Sequence, residues 1–264
     1  MKRINALLWL GVLAGGLGLA APPPHIVLVM ADDLGLGDVG HHAVTHEGRQ
    51  PVVATPRMDA LAREGMWFTD GHSSTALCSP TRYCVMSGNL NFRSYAPWGV
   101  WGSFRPSPFK EGEATLATVT REAGYTTGFV GKWHLGGDFR VKGRTEIYRS
   151  KERGVRDFKV DVTRMVGGGP RSVGFHYSFT LPCGVQGPLY TAYENGEWFP
   201  FADDSEIVFL DKDSALDARF VSDKGPGPGD SCWDTRRVGP MLAGKAASFI
   251  RAQAGRKPFF LCYW

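Results

Sequence analysis

The 264-residue sequence has no strong excess of either charge and no basic run interleaved with aromatic residues. Its 30 basic and 26 acidic side chains give a formal charge of +4, which becomes +2 once Lys2 and Arg3 are set aside. Nucleic-acid-binding proteins carry a basic footprint, so this composition predicts no nucleic-acid partner. Internal repeats and the Cys/His spacing of a zinc site are also missing. Composition and length therefore indicate a globular protein.

The N-terminus carries a long apolar run. Lys2 and Arg3 precede an apolar stretch from Ile4 to Leu19 that closes on two alanines. This pattern predicts a secretory signal peptide over residues 1–21, and hence a secreted or periplasmic protein without stable membrane insertion after cleavage. A retained membrane anchor is the alternative, because the run is close to the minimum spanning length.

Strand and helix patterns alternate along the rest of the chain. The apolar, β-rich run from His25 to Ala31 predicts a central parallel strand covered on both faces. Helices are predicted at 55–65, 80–88, 115–124 and 234–253, and further strands at 66–69, 125–130 and 259–264. This order predicts an α/β fold, a three-layer sandwich around a central, mainly parallel sheet. Between about 137 and 230 the pattern weakens, and we expect long loops over the site rather than a second domain.

Asp32 and Asp33 directly follow the first predicted strand. Ligands of open α/β sheets bind at the carboxyl ends of strands. Where the chain turns out at Leu34 and Gly35, both carboxylates can converge on one hard cation, and Ca²⁺ or Mg²⁺ suits them. The alternative is a solvated acidic turn. The segment lacks the alternating oxygen ligands of an EF-hand loop.

The pentapeptide Cys-Ser-Pro-Thr-Arg at 78–82 lies at the start of a predicted helix. Free backbone N–H groups at a helix start favour an anion. Arg82, one turn after Cys78, is expected to point to the same side of the helix. A structural thiol or an unmodified catalytic cysteine are the alternatives for Cys78, and a surface arginine is the alternative for Arg82. The spacing argues against a cysteine-based phosphatase, because the arginine comes four residues after the cysteine and not six.

Lys132 and His134 follow the predicted strand at 125–130. Residues two apart in an extended segment face the same way, so this pair can share a site while Trp133 packs elsewhere. Lys132 supplies a positive charge, and His134 can take and return a proton near neutral pH. An exposed loop pair is the alternative interpretation.

Three segments together resemble the signatures of the type I, formylglycine-dependent sulfatases of the alkaline-phosphatase superfamily. They are Cys-x-Pro-x-Arg at 78–82, Ala-Asp-Asp-Leu-Gly-Leu-Gly-Asp at 31–38 and Gly-Lys-Trp-His-Leu-Gly at 131–136. The likeness is dense from His25 to Gly136 and looser past residue 165. It implies that a formylglycine-generating enzyme oxidises Cys78 to formylglycine, which is 3-oxoalanine. One oxygen of the hydrated aldehyde then attacks sulfur, and the other later expels sulfate.

The same resemblance implies the roles of individual residues. Cys78, Arg82, Lys132 and His134 would be catalytic, and Asp32, Asp33 and Cys78 would hold Ca²⁺, with Mg²⁺ as the other option. Two departures from the family pattern stand out. Ser-Gly-Asn at 87–89 replaces the usual Thr-Gly-Arg, and the sequence ends before the family's Asp-Asn pair, further lysine and C-terminal subdomain.

We therefore expect residues 22–264 to be the N-terminal part of a sulfatase catalytic domain, apparently truncated at its C-terminus. The expected function is hydrolysis of sulfate esters on carbohydrates, with the activity of the 264-residue chain itself left open. One alternative is a phosphomonoester or phosphonate hydrolase of the same superfamily. The other is a non-catalytic fragment that binds sulfated glycans.

The remaining cysteines and one histidine carry smaller expectations. Cys84 and Cys262 lie in apolar sequence and are expected to be buried thiols. Cys183 and Cys232 lie in loop-like sequence and can pair as a disulfide. His72 is the histidine expected to line the pocket, because it is close to Cys78 in sequence.

Overall fold

The computed structural model describes residues 22–97, 99–150, 159–211 and 225–264. The predicted signal peptide, residues 1–21, lies outside the described residues. The α-helices are α1 Gly40–Thr45, α2 Pro56–Glu64, α3 Cys78–Ser87, α4 Leu116–Glu122 and α5 Thr235–Gln253. The strands are β1 Ile26–Val29, β2 Thr126–Lys132, β3 Phe139–Val141, β4 Ile147–Tyr148, β5 Val160–Asp161, β6 Tyr177–Leu181, β7 Ala192–Glu194, β8 Glu197–Phe199, β9 Ile207–Leu210, β10 Gly227–Asp230 and β11 Phe259–Tyr263.

Six strands form the central sheet in the order β1-β11-β2-β6-β7-β8. The first four run parallel, and β7 and β8 extend the sheet as antiparallel strands. Two small antiparallel sheets, β9-β10 and β4-β3-β5, lie outside it. The predicted α/β fold with a central, mainly parallel sheet is therefore confirmed.

Side chains of the inner strands alternate between two apolar layers. Phe129 and Phe260 belong to a core cluster that includes residues of α3 and α4. Val130 and Leu261 belong to a second cluster that includes α5. Because successive strand residues point to opposite faces, both faces of the sheet are covered by helices. The result is the predicted three-layer arrangement.

The longest helix, α5, begins after Asp234, which caps its N-terminus. The carboxylate of Asp234 accepts a hydrogen bond from the backbone N–H of Arg236, which satisfies one of the unpaired N–H groups of the first turn. Val238, Ala246 and Phe249 are buried against the sheet at helical spacing. Burial of a side chain as large as Phe249 contributes about 1.5 to 3 kcal/mol. Among the described helices, none is both long and apolar enough to span a membrane.

The prediction that the first strand is central is wrong. β1 lies at the edge of the described sheet and pairs with β11. Its side chains are partly exposed to solvent, with exposed fractions of 47% at Val27 and 63% at Val29. A continuous apolar run reports an average tendency to burial, but it carries no information about the order in which strands pair. The predicted strand at 66–69 is also wrong, since these residues lie in irregular and turn structure.

The region from about 137 to 230 is more ordered than the sequence predicts. Its described residues form eight strands, β3 to β10, instead of long loops. The parallel strand β6 is the most important of these, because it lies beside β2 in the central sheet. Ser178 and Thr180 interrupt its apolar pattern, yet both are buried. A sequence pattern cannot distinguish such a strand from a half-exposed segment.

The end of β2 approaches the end of β11 closely at Gly131. The backbone N–H of Lys132 donates to the carbonyl oxygen of Trp264 at 3.0 Å, and Trp264 N–H donates to Val130 at 2.9 Å. A Cβ atom on Gly131 would lie 1.7 Å from the Trp264 carbonyl oxygen, and Gly131 has φ +122°. Both the space and the backbone conformation therefore require glycine here.

Replacement of this glycine should be costly. We expect Gly131→Ala to lower the free energy of unfolding by roughly 3 kcal/mol or more, since backbone must shift to admit the methyl group. A matched control is Gly244→Ala on the exposed side of α5, where nothing lies within 4 Å of the place that the added methyl group would take. That change should stabilise the protein by about 0.5 to 1 kcal/mol. Urea unfolding measures both, and a wild-type midpoint for Gly131→Ala would contradict the argument.

Candidate active site

Three neighbouring parallel strands end at the candidate site. Asp32 follows β1, Trp264 follows β11, and Lys132 is the last residue of β2. Because β11 lies between β1 and β2, the side chains of Asp32 and Lys132 meet across its end. The site therefore lies at the carboxyl edge of the parallel sheet, as the sequence predicts.

Cys78 is the first residue of the ten-residue helix α3. Its sulfur lies 3.2 Å from Nδ1 of His134. The side chain of Leu77, at the N-cap, makes no hydrogen bond to the helix, and the first turn holds no acidic residue. The N–H groups of the first turn therefore face the site with their partial positive charge uncompensated by a carboxylate in that turn.

Arg82 lies beneath the site and is 1% exposed. Its Nη1 donates to the carbonyl oxygen of Lys132 at 2.9 Å, and its Nη2 donates to Oδ2 of Asp32 at 2.9 Å. The guanidinium also lies 5.4 Å from the ring centroid of Trp264. These contacts contradict the alternative of a surface arginine. They tie α3 to the ends of all three neighbouring strands.

One carboxylate oxygen of Asp32 accepts hydrogen bonds from two positively charged side chains. Lys132 Nζ donates to its Oδ2 at 2.5 Å, and the same oxygen accepts from Arg82. Burial raises the pKa of the Asp32 carboxyl, but the hydrogen bonds and charges of Lys132 and Arg82 outweigh it and lower that pKa below its usual value. Burial lowers the pKa of Arg82, while the charge of Asp32 opposes this. Asp32 is therefore an anion at neutral pH.

His134 is held in an uncommon backbone conformation, with φ +54°. Its N–H donates to the carbonyl oxygen of Pro182, and its own carbonyl oxygen accepts from Ser79 Oγ at 2.6 Å. Trp133, before it, is fully buried in the core. The prediction that Lys132 and His134 share a site while Trp133 packs elsewhere is correct. The left-handed turn at His134 achieves this, and not an extended segment.

A cavity of about 250 Å³ brings these groups together. The predicted residues that line it are Asp32, Asp33, Cys78, Lys132 and His134. Arg82 does not line the cavity but supports it from below, through Asp32 and the Lys132 carbonyl. The structure thus collects in one place all six residues that the sequence selects.

The sequence does not predict that several other residues line the cavity. Ser103, Cys183 and Gln186 also face the cavity, and the hydroxyl of Ser103 lies 3.0 Å from the Cys183 sulfur. Cys183 and Cys232, which the sequence allows to pair, are both present as free thiols. The tertiary fold alone decides which of these residues reach the cavity.

Three smaller expectations have mixed outcomes. The side chain of His72 is 81% exposed beside Asp70 and does not line the cavity, so that expectation is wrong. Cys84 and Cys262 are buried thiols, as predicted. Proximity in sequence to Cys78 does not carry His72 to the cavity, although Ala76 and Leu77, closer to Cys78, do line it.

The carboxylate oxygens of Asp32 and Asp33 are the type of ligand that a hard cation prefers. Asp33 has φ +57°, which turns the chain between the two side chains and lets both face one cavity. However, within the described ranges no group of three or more His, Cys, Asp or Glu side chains could hold a metal ion. Calcium takes six to eight oxygen ligands, so these two residues supply only part of its coordination sphere. The metal site stays a prediction.

Asn89, in the segment that departs from the family pattern, has a defined contact. Its side-chain amide donates to Glu113 Oε1 at 3.0 Å, and the hydroxyl of Tyr83 donates to the same oxygen at 3.1 Å. The other carboxylate oxygen accepts from the N–H of Lys110. Glu113 thus holds the C-terminal end of α3 in place through its bonds with Tyr83 and Asn89, although position 89 lacks the arginine of the family pattern.

Comparison with known proteins agrees with this geometry. A family model described as Sulfatase matches residues 24–170, more than half of the chain. Arylsulfatase A of Bos taurus is 42% identical over 130 residues, which cover 49% of this chain and 24% of that protein. An N-acetylgalactosamine-6-O-sulfatase of Bacteroides thetaiotaomicron is 27% identical over 269 residues, covering 92% of this chain and 48% of that protein. The chain thus spans about half the length, or less, of these curated relatives.

Solved structures show the same fold. A structure from work on the metabolism of multiple glycosaminoglycans by Bacteroides thetaiotaomicron matches with a TM-score of 0.66 and 24% identity. The match covers 90% of this chain and 50% of that one. A sulfatase from Pseudoalteromonas sp. matches with a TM-score of 0.54 and 20% identity, covering 90% and 43% of the two chains. At these identities the likeness concerns the fold.

The ion cluster of Asp32, Arg82 and Lys132 predicts a specific pH dependence. In a buffer with a metal chelator at pH 7, Asp32→Asn should lower the free energy of unfolding by roughly 2 to 3 kcal/mol, because it leaves a buried arginine without its anion. The pKa of Asp32 is lowered in the folded state, so its contribution is complete above the unfolded pKa of about 3.9 and is lost as the pH falls through the folded value. The deficit of the variant should therefore shrink below about pH 4.

Denaturant unfolding between acid and neutral pH measures this effect. Asp203→Asn is the matched control, since Asp203 is exposed, and it should stay within about 0.5 kcal/mol of the wild type. Identical curves for the two variants, or a deficit that grows as the pH falls, would exclude the proposed charge pairing.

Proposed function

The chain belongs to the sulfatase family, and from that premise we propose that it hydrolyses sulfate esters with formylglycine made from Cys78. The observation that carries the proposal is that Cys78, Lys132 and His134 line one cavity. A sulfur atom 3.2 Å from a histidine nitrogen, at a helix start and near a lysine, is an arrangement suited to an anionic ester. A buried structural thiol would need none of these neighbours.

Binding of the ester would rely on positive charge from two sources. The backbone N–H groups in the first turn of α3 point toward an anion at Cys78. Lys132 adds a compact, mobile charge, which can hold a sulfate oxygen while it stays near Asp32. Arg82 is fully buried and so acts on the ester indirectly, by fixing Asp32 and the carbonyl of Lys132.

His134 is the group positioned to move a proton. The Cys78 sulfur marks the place from which the oxygens of a hydrated formylglycine would project. Nδ1 of His134 is 3.2 Å from that point, and histidine exchanges protons readily near neutral pH. Formylglycine itself supplies a hydrated aldehyde, whose second oxygen offers a route to expel sulfate. Ser79 holds the backbone of His134 in place for this role.

Asp32 and Asp33 are the residues that would hold Ca²⁺, or Mg²⁺ instead. When bound, such a cation supplies positive charge that stabilises the negative charge developing on the oxygens of the ester. The hydrogen bond from Arg82 fixes the direction of the Asp32 carboxylate, as partners behind a metal ligand commonly do. Lys132 shares the same carboxylate oxygen and would adjust its position as the cation binds.

The relatives support a proposal for the substrate class. One of them is an N-acetylgalactosamine-6-O-sulfatase, whose alignment covers 92% of this chain, and others are arylsulfatases. We therefore assign sulfate esters of saccharides as the substrates, and a formylglycine-generating enzyme as the partner that matures Cys78. The N-terminal pattern at residues 1–21 further supports a secreted or periplasmic location.

Maturation of Cys78 can be tested directly. When the chain is expressed with a formylglycine-generating enzyme, we expect the tryptic peptide that ends at Arg82 to lose the mass of hydrogen sulfide and gain that of one oxygen. Peptide mass spectrometry measures the conversion, and Cys78→Ala is the control that cannot be converted. A fully retained thiol in every preparation would remove the nucleophile from the proposal.

Turnover is the second test. We expect little hydrolysis of an aryl sulfate by the 264-residue chain, and clear hydrolysis when Trp264 is continued into the C-terminal half of the Bacteroides relative. The reason is that the described residues supply only part of a metal sphere, and each missing contact to a developing oxyanion costs roughly 3 to 4 kcal/mol.

Both proteins are assayed after checking their formylglycine content, with Cys78→Ala versions as blanks. Faster hydrolysis of the matching aryl phosphate would favour a phosphoester hydrolase instead. Saturable binding of a sulfated saccharide without turnover in either protein would favour a glycan-binding role. Equal turnover by the two proteins would show that the described residues already complete the site.

A further inference from the structure

A second cavity lies away from the Cys78 cavity, on the side of β6 that faces α3 and α4. Its volume is about 320 Å³, and it shares no lining residue with the Cys78 cavity. Small-molecule sites in proteins commonly measure roughly 300 to 1,000 Å³. We refer to this cavity, whose rim carries Arg140, Arg164 and Arg171, as the arginine cleft.

The charged residues of the arginine cleft are mostly positive. Three arginine residues line it, and Glu197 is the one acidic residue among its lining residues. Glu197 pairs with Arg164 at 2.9 Å, but both side chains are more than 60% exposed, so this ion pair is weak. Arg140 and Arg171 have no ion pair among the described residues. The cleft therefore has a net positive charge available to a ligand.

A further anion near Arg140 is already engaged. Asp161 lies opposite Arg140 in the β3-β5 ladder. Its Oδ1 accepts hydrogen bonds from both the backbone and the hydroxyl of Thr163, at 3.0 and 2.6 Å. Asp161 thus reduces the local charge without bonding to the guanidinium of Arg140.

The floor of the cleft holds a polar group without a partner. Thr180 lines the cavity and is 1% exposed, and its hydroxyl has no hydrogen-bond partner among the described residues. Ser178, two residues earlier on β6, is also buried and lines the cavity. An unpaired buried hydroxyl costs about 1 to 3 kcal/mol, so a ligand that accepts its hydrogen bond gains that contact.

The rim is held rigidly enough to present the arginines. The N–H of Met165 donates to the carbonyl oxygen of Gly196, and the N–H of Val166 donates to that of Asp138, both at 2.8 Å. These bonds fix the segment that carries Arg164 between β3 and β8. The arginine cleft is therefore bounded by ordered backbone on both sides.

We propose that the arginine cleft binds an oxyanion, a sulfate group either free or carried on a saccharide. Guanidinium groups form paired hydrogen bonds with tetrahedral oxyanions, and the Thr180 hydroxyl donates a further bond from the floor. The volume exceeds that of one sulfate, which leaves room for the sugar that bears it. This site is distinct from the catalytic one and does not require that the chain be a hydrolase.

Equilibrium dialysis with radiolabelled sulfate tests the proposal on the 264-residue chain, at constant ionic strength set with sodium chloride. The starting protein is Lys132→Ala, which weakens sulfate binding in the Cys78 cavity and should retain the binding in the cleft. In that background, Arg140→Gln with Arg171→Gln should weaken sulfate binding about tenfold or more, because two charged hydrogen-bond donors are lost. The matched control is Arg251→Gln with Arg256→Gln, two exposed arginines at and just after the end of α5.

Thr180→Val gives an independent measurement, because it replaces a hydroxyl by a methyl group of the same shape. We expect sulfate affinity to fall about threefold to tenfold. The midpoint of unfolding without sulfate should not fall, because the change removes an unpaired buried polar atom. Tighter binding of a sulfated disaccharide than of inorganic sulfate would identify a saccharide as the source of the group, and equal affinity would identify the free ion.

Three results would overturn the proposal. One is the absence of saturable binding in the Lys132→Ala protein up to about 10 mM sulfate. The second is equal affinity in the cleft double variant and the α5 control. The third is unchanged affinity in Thr180→Val, since the floor hydroxyl would then have no role. Loss of catalysis with intact cleft binding would count against the proposed hydrolase function alone.

Discussion

The bond network around Arg82 is the constraint on which the candidate site depends. A guanidinium that is 1% exposed must be paired, since a buried charge without its anion costs several kcal/mol. Asp32 supplies that anion, and the carbonyl of Lys132 accepts a second bond. One side chain of α3 thereby joins the ends of β1 and β2, while the ring of Trp264 at the end of β11 packs against it. Any shift of α3 would break contacts with three strands.

The pentapeptide at 78–82 builds the site through three of its members. Cys78 faces the cavity, Ser79 fixes the carbonyl of His134, and Arg82 fixes Asp32. Because these residues occupy one turn of a single helix, their relative positions are set by helix geometry and need no further support. The opposite wall is less regular, since His134 has a left-handed backbone. A bond from the Ser79 hydroxyl to its carbonyl oxygen and a bond from its N–H to the Pro182 carbonyl oxygen hold that backbone in place. The regular helix α3 thus positions the left-handed backbone at His134.

The residues of the site follow from sequence better than the fold around it does. Helical spacing and the strand-end rule predict where Asp32, Cys78, Arg82, Lys132 and His134 lie, because both rules are local. Their selection as site residues rests on the resemblance of three segments to the sulfatase signatures. The edge position of β1 and the presence of β6 depend instead on which strands pair, and pairing is decided by distant segments. The same limit applies to Cys183, which lines the cavity two residues after the end of β6, a strand that the sequence does not predict. Local rules therefore place the residues that the resemblance selects, and tertiary packing decides which other residues join them.

Strand β6 links the two cavities without merging them. Its end bonds the catalytic loop, since the carbonyl oxygens of Leu181 and Pro182 accept from the N–H groups of Trp133 and His134. One residue before that end, Thr180 pairs with Gly131 in the ladder and turns its side chain to the arginine cleft. Side chains of a strand alternate between its two faces, so neighbouring residues can serve different cavities while the backbone stays fixed. Because the two cavities share no lining residue, a ligand in the cleft would contact none of the residues that line the Cys78 cavity.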